Sequence, residues 1–345
     1  MSSNHVTVLI PFRLDSTLVQ RIAGVDPRVR VLCEPDLLGE PRYATDHAAP
    51  SVRSAEQERQ WRSLLARAEV MFGFDYSHLD DLLDLAPSLR WIQGTSTGIG
   101  QAVVKLGWAD SDIVFTTARG VHSGPLAEFC IMAMLMFAKD AFRMAAEKDR
   151  KHWERFAGTE LRGKTLAVIS LGSGGQAVAR RARCLGMHVV GTKRTVEGFE
   201  PTALGVEQLY PWTDLDPMLA RADFVVLYVP HTPETEGLVG EHELNAMKKG
   251  AVLINVARGA IWDQDAVVRA LKSGQLGGLA SDVFEEEPLP ETSPLWDMPN
   301  VVISPHSGSA AASENAKLTE LFCENLRRYL AGQPLKNELD TKRLY

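Results

Sequence analysis

Ser170-Leu171-Gly172-Ser173-Gly174-Gly175 lies between an apolar run, Thr165 to Ser170, and a helical pattern from about Gly175 to Leu185. A strand that turns through glycines into a helix opens a dinucleotide-binding unit. Glycine is wanted at the tight turn, where the pyrophosphate approaches, and where the helix packs on the strand. Gly172 and Gly175 fill the second and third places and Ser170 the first; a second register reads Gly172, Gly174 and Ala177 instead. In either register the helix start offers free N–H groups and its positive dipole end to a phosphate. Gly172, Ser173, Gly174 and Gly175 are therefore candidate cofactor residues. The next strand, His188 to Thr192, runs into Lys193 and Arg194, where an NAD enzyme places the acid that holds its ribose. Two cations there read either as a solvated turn or as contacts for a 2′-phosphate, which makes NADP(H) the preferred cofactor and NAD(H) the second.

Outward from this loop, short apolar runs alternate with helical stretches. Before it lie Val6 to Ile10, Val70 to Phe72, Leu89 to Ile92 and Ile113 to Thr116, with a helix from Glu56 to Ala68. After it come Phe224 to Val229, Ala251 to Asn255, Leu279 to Val283 and Val301 to Ile303. The later strands are apolar on both faces, as a sheet covered by helices on both sides requires. Six strands in this second series predict a complete doubly wound domain. A long helix, Pro125 to Asp149 with Ser123 as N-cap, joins the two series. Residues 39–55 read as a loop or arm, and Ala311 to Leu330 as an amphipathic helix.

The chain has 345 residues, 45% of them hydrophobic, enough for two cores. Its net charge of −7 and lack of a long basic run argue against nucleic acid as a partner. Cys33, Cys130, Cys184 and Cys323 are far apart and form no CxxC pair, so no metal site is signalled. The amino terminus lacks the pattern of a signal peptide, and the most apolar stretch, Leu126 to Ala138, is short and carries Glu128. No membrane association and a cytoplasmic location are expected.

Five further segments carry a resemblance: WIQGTSTGIG (Trp91 to Gly100), ARGVHSGPLAEF (Ala118 to Phe129), INVARGAIWDQDAVVRAL (Ile254 to Leu271), SDVFEEEPLP (Ser281 to Pro290) and SPLWDMPNVVISPHSGSA (Ser293 to Ala310). With the glycine loop they resemble the D-isomer-specific 2-hydroxyacid dehydrogenase family, glyoxylate/hydroxypyruvate reductase-like members included. The match runs from about Leu89 to Ala310; residues 1–60 match poorly, and Ser170 departs from the usual first glycine.

The resemblance implies two Rossmann-like doubly wound parallel-sheet domains, with the nucleotide domain (119–308) inserted into a flavodoxin-like substrate domain (1–118 and 309–345). It implies an active site in the cleft between them, a homodimer built on the long helix, and three catalytic residues. Arg258 anchors the carboxylate of a small 2-oxo acid through its guanidinium fork. His306 is the general acid and base. Glu287, directly before Pro288, orients the imidazole and favours its protonated form, although Glu285 to Glu287 by themselves read as a solvated acidic turn. By the same resemblance Pro230, His231 and Thr232 pass beside the cofactor, Ala257 and Asp282 contact the nicotinamide amide, Thr97 and Gly98 offer backbone N–H groups to the substrate carboxylate, and His122 is structural. The region Gly73 to Tyr76 lines the pocket for the substrate's side chain.

Fold alone does not separate a reductase of glyoxylate, hydroxypyruvate or a larger 2-oxo acid from a nucleotide-sensing binding protein of the corepressor type. Formate dehydrogenases carry Gln where Glu287 stands, and phosphoglycerate dehydrogenases often add a regulatory domain; both are disfavoured.

Overall fold

The computed structural model describes residues 5–344. The chain divides into two compact units, one made of the residues up to Val121 with those from Ala310 on, the other of His122–Ser309.

The first unit holds a five-stranded sheet: β1 (Val6–Leu9), β2 (Val29–Leu32), β3 (Val70–Phe72), β4 (Trp91–Gln93) and β5 (Val114–Thr116). Its order is β2-β1-β3-β4-β5 with every pair parallel, the flavodoxin-like arrangement. Parallel neighbours need crossovers, and helices such as Ala55–Leu65 and Glu314–Leu330 supply the covering layers. The first of these is capped at Ser54, which exchanges hydrogen bonds with Gln57. Phe322, fully buried on the second, stacks against Phe72 and Trp91. A buried side chain of this size contributes about 1.5–3 kcal/mol, so this helix is part of the unit although some 200 residues separate it from the strands.

The second unit holds seven strands: β6 (Thr165–Ile169), β7 (His188–Lys193), β8 (Gln208–Pro211), β9 (Phe224–Leu227), β10 (Ala251–Asn255), β11 (Leu276–Ser281) and β12 (Val301–Ile303). They order as β12-β11-β10-β9-β6-β7-β8, again all parallel. From β6 the chain steps outward to β7 and β8, then returns to the other side of β6 as β9. The carboxyl ends of β6 and β9 therefore form the topological switch point, where ligands of such sheets bind. Every residue of β9 and β10 is buried, as a sheet covered on both faces requires.

Three expectations need correction. The second sheet has seven strands, not six: β8 is a strand beyond those expected there, as β2 is in the first sheet. The long helix from Pro125 to Asp149 is two helices, Ser123–Ala138 and Ala141–Asp149. Asp140 between them takes a left-handed conformation (φ 54°) and accepts a hydrogen bond from the Arg143 N–H, capping the second helix. Ser123 is not the N-cap. His122 holds that place, and Ser123 is the first helical residue.

Candidate active site

Within the second unit the candidate residues leave the sheet at one edge. Each follows, or ends, a strand at its carboxyl end: the glycine loop after β6, Lys193 at the end of β7, Pro230 to Thr232 after β9, Ala257 and Arg258 after β10, Asp282 and Glu287 after β11, and His306 after β12.

The loop after β6 follows the register Ser170, Gly172, Gly175. Any Cβ on Gly175 would overlap the Ser170 carbonyl, so this glycine lets the helix Ser173–Cys184 close onto the strand. A Cβ on Gly174 would overlap the ring of Tyr228. Gly172, in contrast, faces open space within 4 Å of an ideal Cβ position. Bare backbone at a helix start, with room in front of it, fits a pyrophosphate. Ser170, in the first glycine's place, has φ 84°, a left-handed conformation that non-glycine residues rarely adopt.

Tyr228 was not foreseen. It follows β9 with its phenol beside Ser123, and burial pushes that phenol well above the ordinary range. The Ser123 hydroxyl in turn lies 3.4 Å from that of Ser173. The signal in the sequence was Gly174, a glycine that no turn demands. At the end of β7 the Lys193 ammonium stands 4.2 Å above the Phe199 ring, and an Arg194 guanidinium nitrogen lies 3.8 Å from Glu234. After β9, the Thr235 hydroxyl donates to the Pro230 carbonyl (2.7 Å) and accepts from the Thr232 N–H (2.9 Å), tying the turn down.

At the other end of the edge, His306 and Glu287 meet. The imidazole Nδ1 lies 2.8 Å from Glu287 Oε2, and Oε1 accepts the Phe284 N–H at 3.0 Å. Burial raises the Glu287 carboxyl, but the His306 hydrogen bond, the Phe284 N–H and the charges of His306 and Arg258 outweigh it and hold the group below its ordinary value. His306 has φ 52°, a conformation held by two backbone bonds from its N–H, to Asp282 O (2.9 Å) and Ser304 O (3.0 Å). A strained backbone that its surroundings over-determine is common at functional sites. Asp282 is buried, and one of its oxygens accepts from the Ser304 hydroxyl (2.6 Å) and from the N–H groups of Ser307 (2.8 Å) and Gly308 (2.7 Å). It thereby pins the segment that carries His306. Burial raises its carboxyl against those bonds.

Arg258 is held by Asn255, whose side chain donates to the Arg258 carbonyl (3.2 Å) and accepts from the Ala257 N–H (3.0 Å). Burial lowers the Arg258 guanidinium from its ordinary value, against the charges of Glu287 and Asp282. Glu285 is used elsewhere and accepts the Gln264 N–H at 2.8 Å. Of the three adjacent acids, Glu287 is the one on the histidine. Thr97 and Gly98 belong to the first unit, exposed in the loop after β4, where the Gly98 N–H lies 3.3 Å from the Ser96 hydroxyl.

A glycine loop at the switch point of a seven-stranded parallel sheet defines a dinucleotide-binding α/β protein, and the Arg, Glu and His on the same edge narrow the class. Residues 131–308 match the family described as D-isomer specific 2-hydroxyacid dehydrogenase, NAD binding domain. A glyoxylate reductase of Thermococcus litoralis is 35% identical over 262 residues, 73% of this chain and 77% of that one. A D-3-phosphoglycerate dehydrogenase of Methanocaldococcus jannaschii is 34% identical over 259 residues, 74% of this chain; the match spans only 48% of that longer protein. The solved structure of a D-isomer specific 2-hydroxyacid dehydrogenase from Xanthobacter autotrophicus Py2, in complex with NADPH and MES, superimposes with a TM-score of 0.78 at 26% identity, covering 99% of this chain and 100% of that one. The chain belongs to the D-isomer specific 2-hydroxyacid dehydrogenase family. It is an oxidoreductase that uses a nicotinamide cofactor. No helix among the described residues is long and apolar enough to cross a membrane.

Proposed function

We propose that this enzyme reduces a small 2-oxo acid, of the size of glyoxylate or hydroxypyruvate, to the D-2-hydroxy acid, and that it prefers NADPH. The observation that carries the reading is the 2.8 Å contact between His306 Nδ1 and Glu287 on the edge that also bears Arg258. With Nδ1 donating to the carboxylate, Nε2 is left to hold the transferable proton. His306 gives that proton to the carbonyl oxygen of the substrate and regains it in the reverse direction. Glu287 orients the ring and stabilises the imidazolium. Arg258 binds the substrate carboxylate and polarises the neighbouring carbonyl; a desolvated guanidinium does this more strongly than a hydrated one. The cofactor, when bound, supplies or accepts the hydride.

Gly172, Ser173, Gly174 and Gly175 hold the pyrophosphate, Pro230 to Thr232 flank the dinucleotide, and Ala257 and Asp282 face its amide. Lys193 and Arg194 attract a 2′-phosphate. The first unit serves as the substrate domain, with Thr97 and Gly98 as donors to the substrate carboxylate. A homodimer in the cytoplasm completes the reading. Met132, Leu135 and Met144 are exposed on the two helices that follow His122, and Trp153 after them is 95% exposed, as a covered apolar face would be before assembly.

The test is a panel of 2-oxo acids assayed with NADPH and NADH in parallel, with light scattering for the assembly. Turnover of glyoxylate or hydroxypyruvate with a higher kcat/KM for NADPH is expected. Tight dinucleotide binding with no turnover of any 2-oxo acid would favour the corepressor-type reading instead.

A further inference from the structure

Ser170 holds the place of the first glycine of the phosphate loop at φ 84°. A left-handed conformation costs a residue with a Cβ roughly 1–2 kcal/mol, which glycine avoids. Its backbone is fully committed. The N–H donates to the Thr192 hydroxyl at 2.9 Å, the next N–H donates to the Thr192 carbonyl at 2.9 Å, and the Ser170 carbonyl lies under Gly175, where any Cβ would overlap it. The residue cannot relax by turning. Its side chain is half-buried, and its hydroxyl makes no hydrogen bond with the described residues. A packing role would be served better by glycine, and a cap would show a partner. What remains is a hydroxyl on the residue that joins β6 to the Gly172–Gly175 loop and that is tied through its N–H to Thr192 of β7, at the switch point where a dinucleotide lies in this fold.

We infer that Ser170 is a cofactor-binding residue: its hydroxyl donates a hydrogen bond to the ribose–pyrophosphate stretch that NADH and NADPH share, and the strained conformation is retained for that contact. The inference rests on the reading of Gly172 to Gly175 as the pyrophosphate cradle. It is independent of Lys193 and Arg194, because the contact is common to both dinucleotides.

Ser170→Ala removes the hydroxyl and keeps the strain; Ser170→Gly removes both. Dissociation constants for NADPH and NADH are read from the quenching of tryptophan fluorescence, and melting temperatures from the ligand-free protein. Both variants should bind both dinucleotides about three- to tenfold more weakly, the range that one hydrogen bond spans. Ser170→Gly should melt no lower than the wild type. Wild-type affinity in Ser170→Ala overturns the inference. So does a joint loss of stability and affinity in Ser170→Gly, which would make the residue a support for the loop. Gly172→Val fills the open space and separates the parent reading: if it binds dinucleotide normally, the loop is not the cradle.

Discussion

Glu287→Gln tests the central pair directly. The substitution keeps the size of the side chain and a hydrogen-bonding oxygen near His306 Nδ1, and removes only the charge. The two side chains are 44% and 37% exposed, so the 2.8 Å bond is screened. A hydrogen bond to a charged group contributes about 1.5–3 kcal/mol, and exposure brings it toward the lower end. About 1.4 kcal/mol corresponds to a factor of ten. The sign follows from the chemistry. His306 holds the Glu287 carboxyl below its ordinary value, and by reciprocity the ionised carboxylate stabilises the imidazolium. Reduction consumes the imidazolium. Without the carboxylate the imidazolium loses its counter-charge, and kcat/KM for reduction should fall along its alkaline limb. The loss is then about tenfold on the alkaline side and much smaller below the limb. The assay is the pH dependence of kcat/KM for the best 2-oxo acid, with dinucleotide affinity as the control. A profile superimposable on that of the wild type would refute the pairing. Equal loss at every pH would point to misplacement of the ring.

Further outcomes follow from the same structure. His306→Gln should lower reduction on the order of 10²–10⁴-fold with cofactor affinity nearly unchanged; near-normal turnover in steady-state assays would remove His306 from the mechanism. Arg258→Lys should raise KM and lower kcat together, since the charge stays but the planar fork is lost; a change confined to the KM of the cofactor would make Arg258 a cofactor residue. Lys193→Asp should raise the KM for NADPH several-fold and move the preference toward NADH, one charge contact at about 4 Å being worth roughly 1 kcal/mol even at full water screening; unchanged selectivity would return the basic turn to solvent. Asp46 is buried in the 39–55 arm, and the Arg42 hydrogen bond chiefly, with the N–H groups of Arg42 and Ala48, depresses its carboxyl to about 2 from 3.8. Its stabilisation is therefore complete above about pH 4 and is lost as pH falls toward 2. Asp46→Asn should cost about 1–3 kcal/mol at neutral pH, with the difference in melting temperature shrinking in acid; a gap independent of pH would show that the carboxylate charge plays no part.

The alternation of apolar runs and helical stretches was enough to determine the doubly wound class, because a parallel strand covered on both faces must be apolar on both. Phe224–Leu227 and Ala251–Asn255 meet that condition at every residue, and both were read from sequence. The strands that escaped are edges: β2 exposes Arg30, and β8 begins with exposed Gln208 and ends on Pro211. An edge strand has a neighbour on one side only, so local composition leaves it ambiguous. The break at Asp140 was hidden for another reason. Asp is tolerated in helices, and only its left-handed conformation and its cap on Arg143 stop one helix and start the next. In the site, the types of residue were legible as motifs, but partner choice was not. Glu285, Glu286 and Glu287 have the same chemistry in sequence, and the resemblance to the family chose among them. In the fold, β11 and the turn after it send Glu285 to Gln264 and Glu287 to His306. Likewise Ser170 could be seen as a departure from glycine, while its left-handed backbone, and a hydroxyl with no hydrogen-bond partner among the described residues, exist only once β6, β7 and the helix after the loop have closed around it. Periodicity reports how each residue meets water, which sequence carries locally. Which polar group meets which depends on strands brought together across the sheet, and that only the tertiary structure decides.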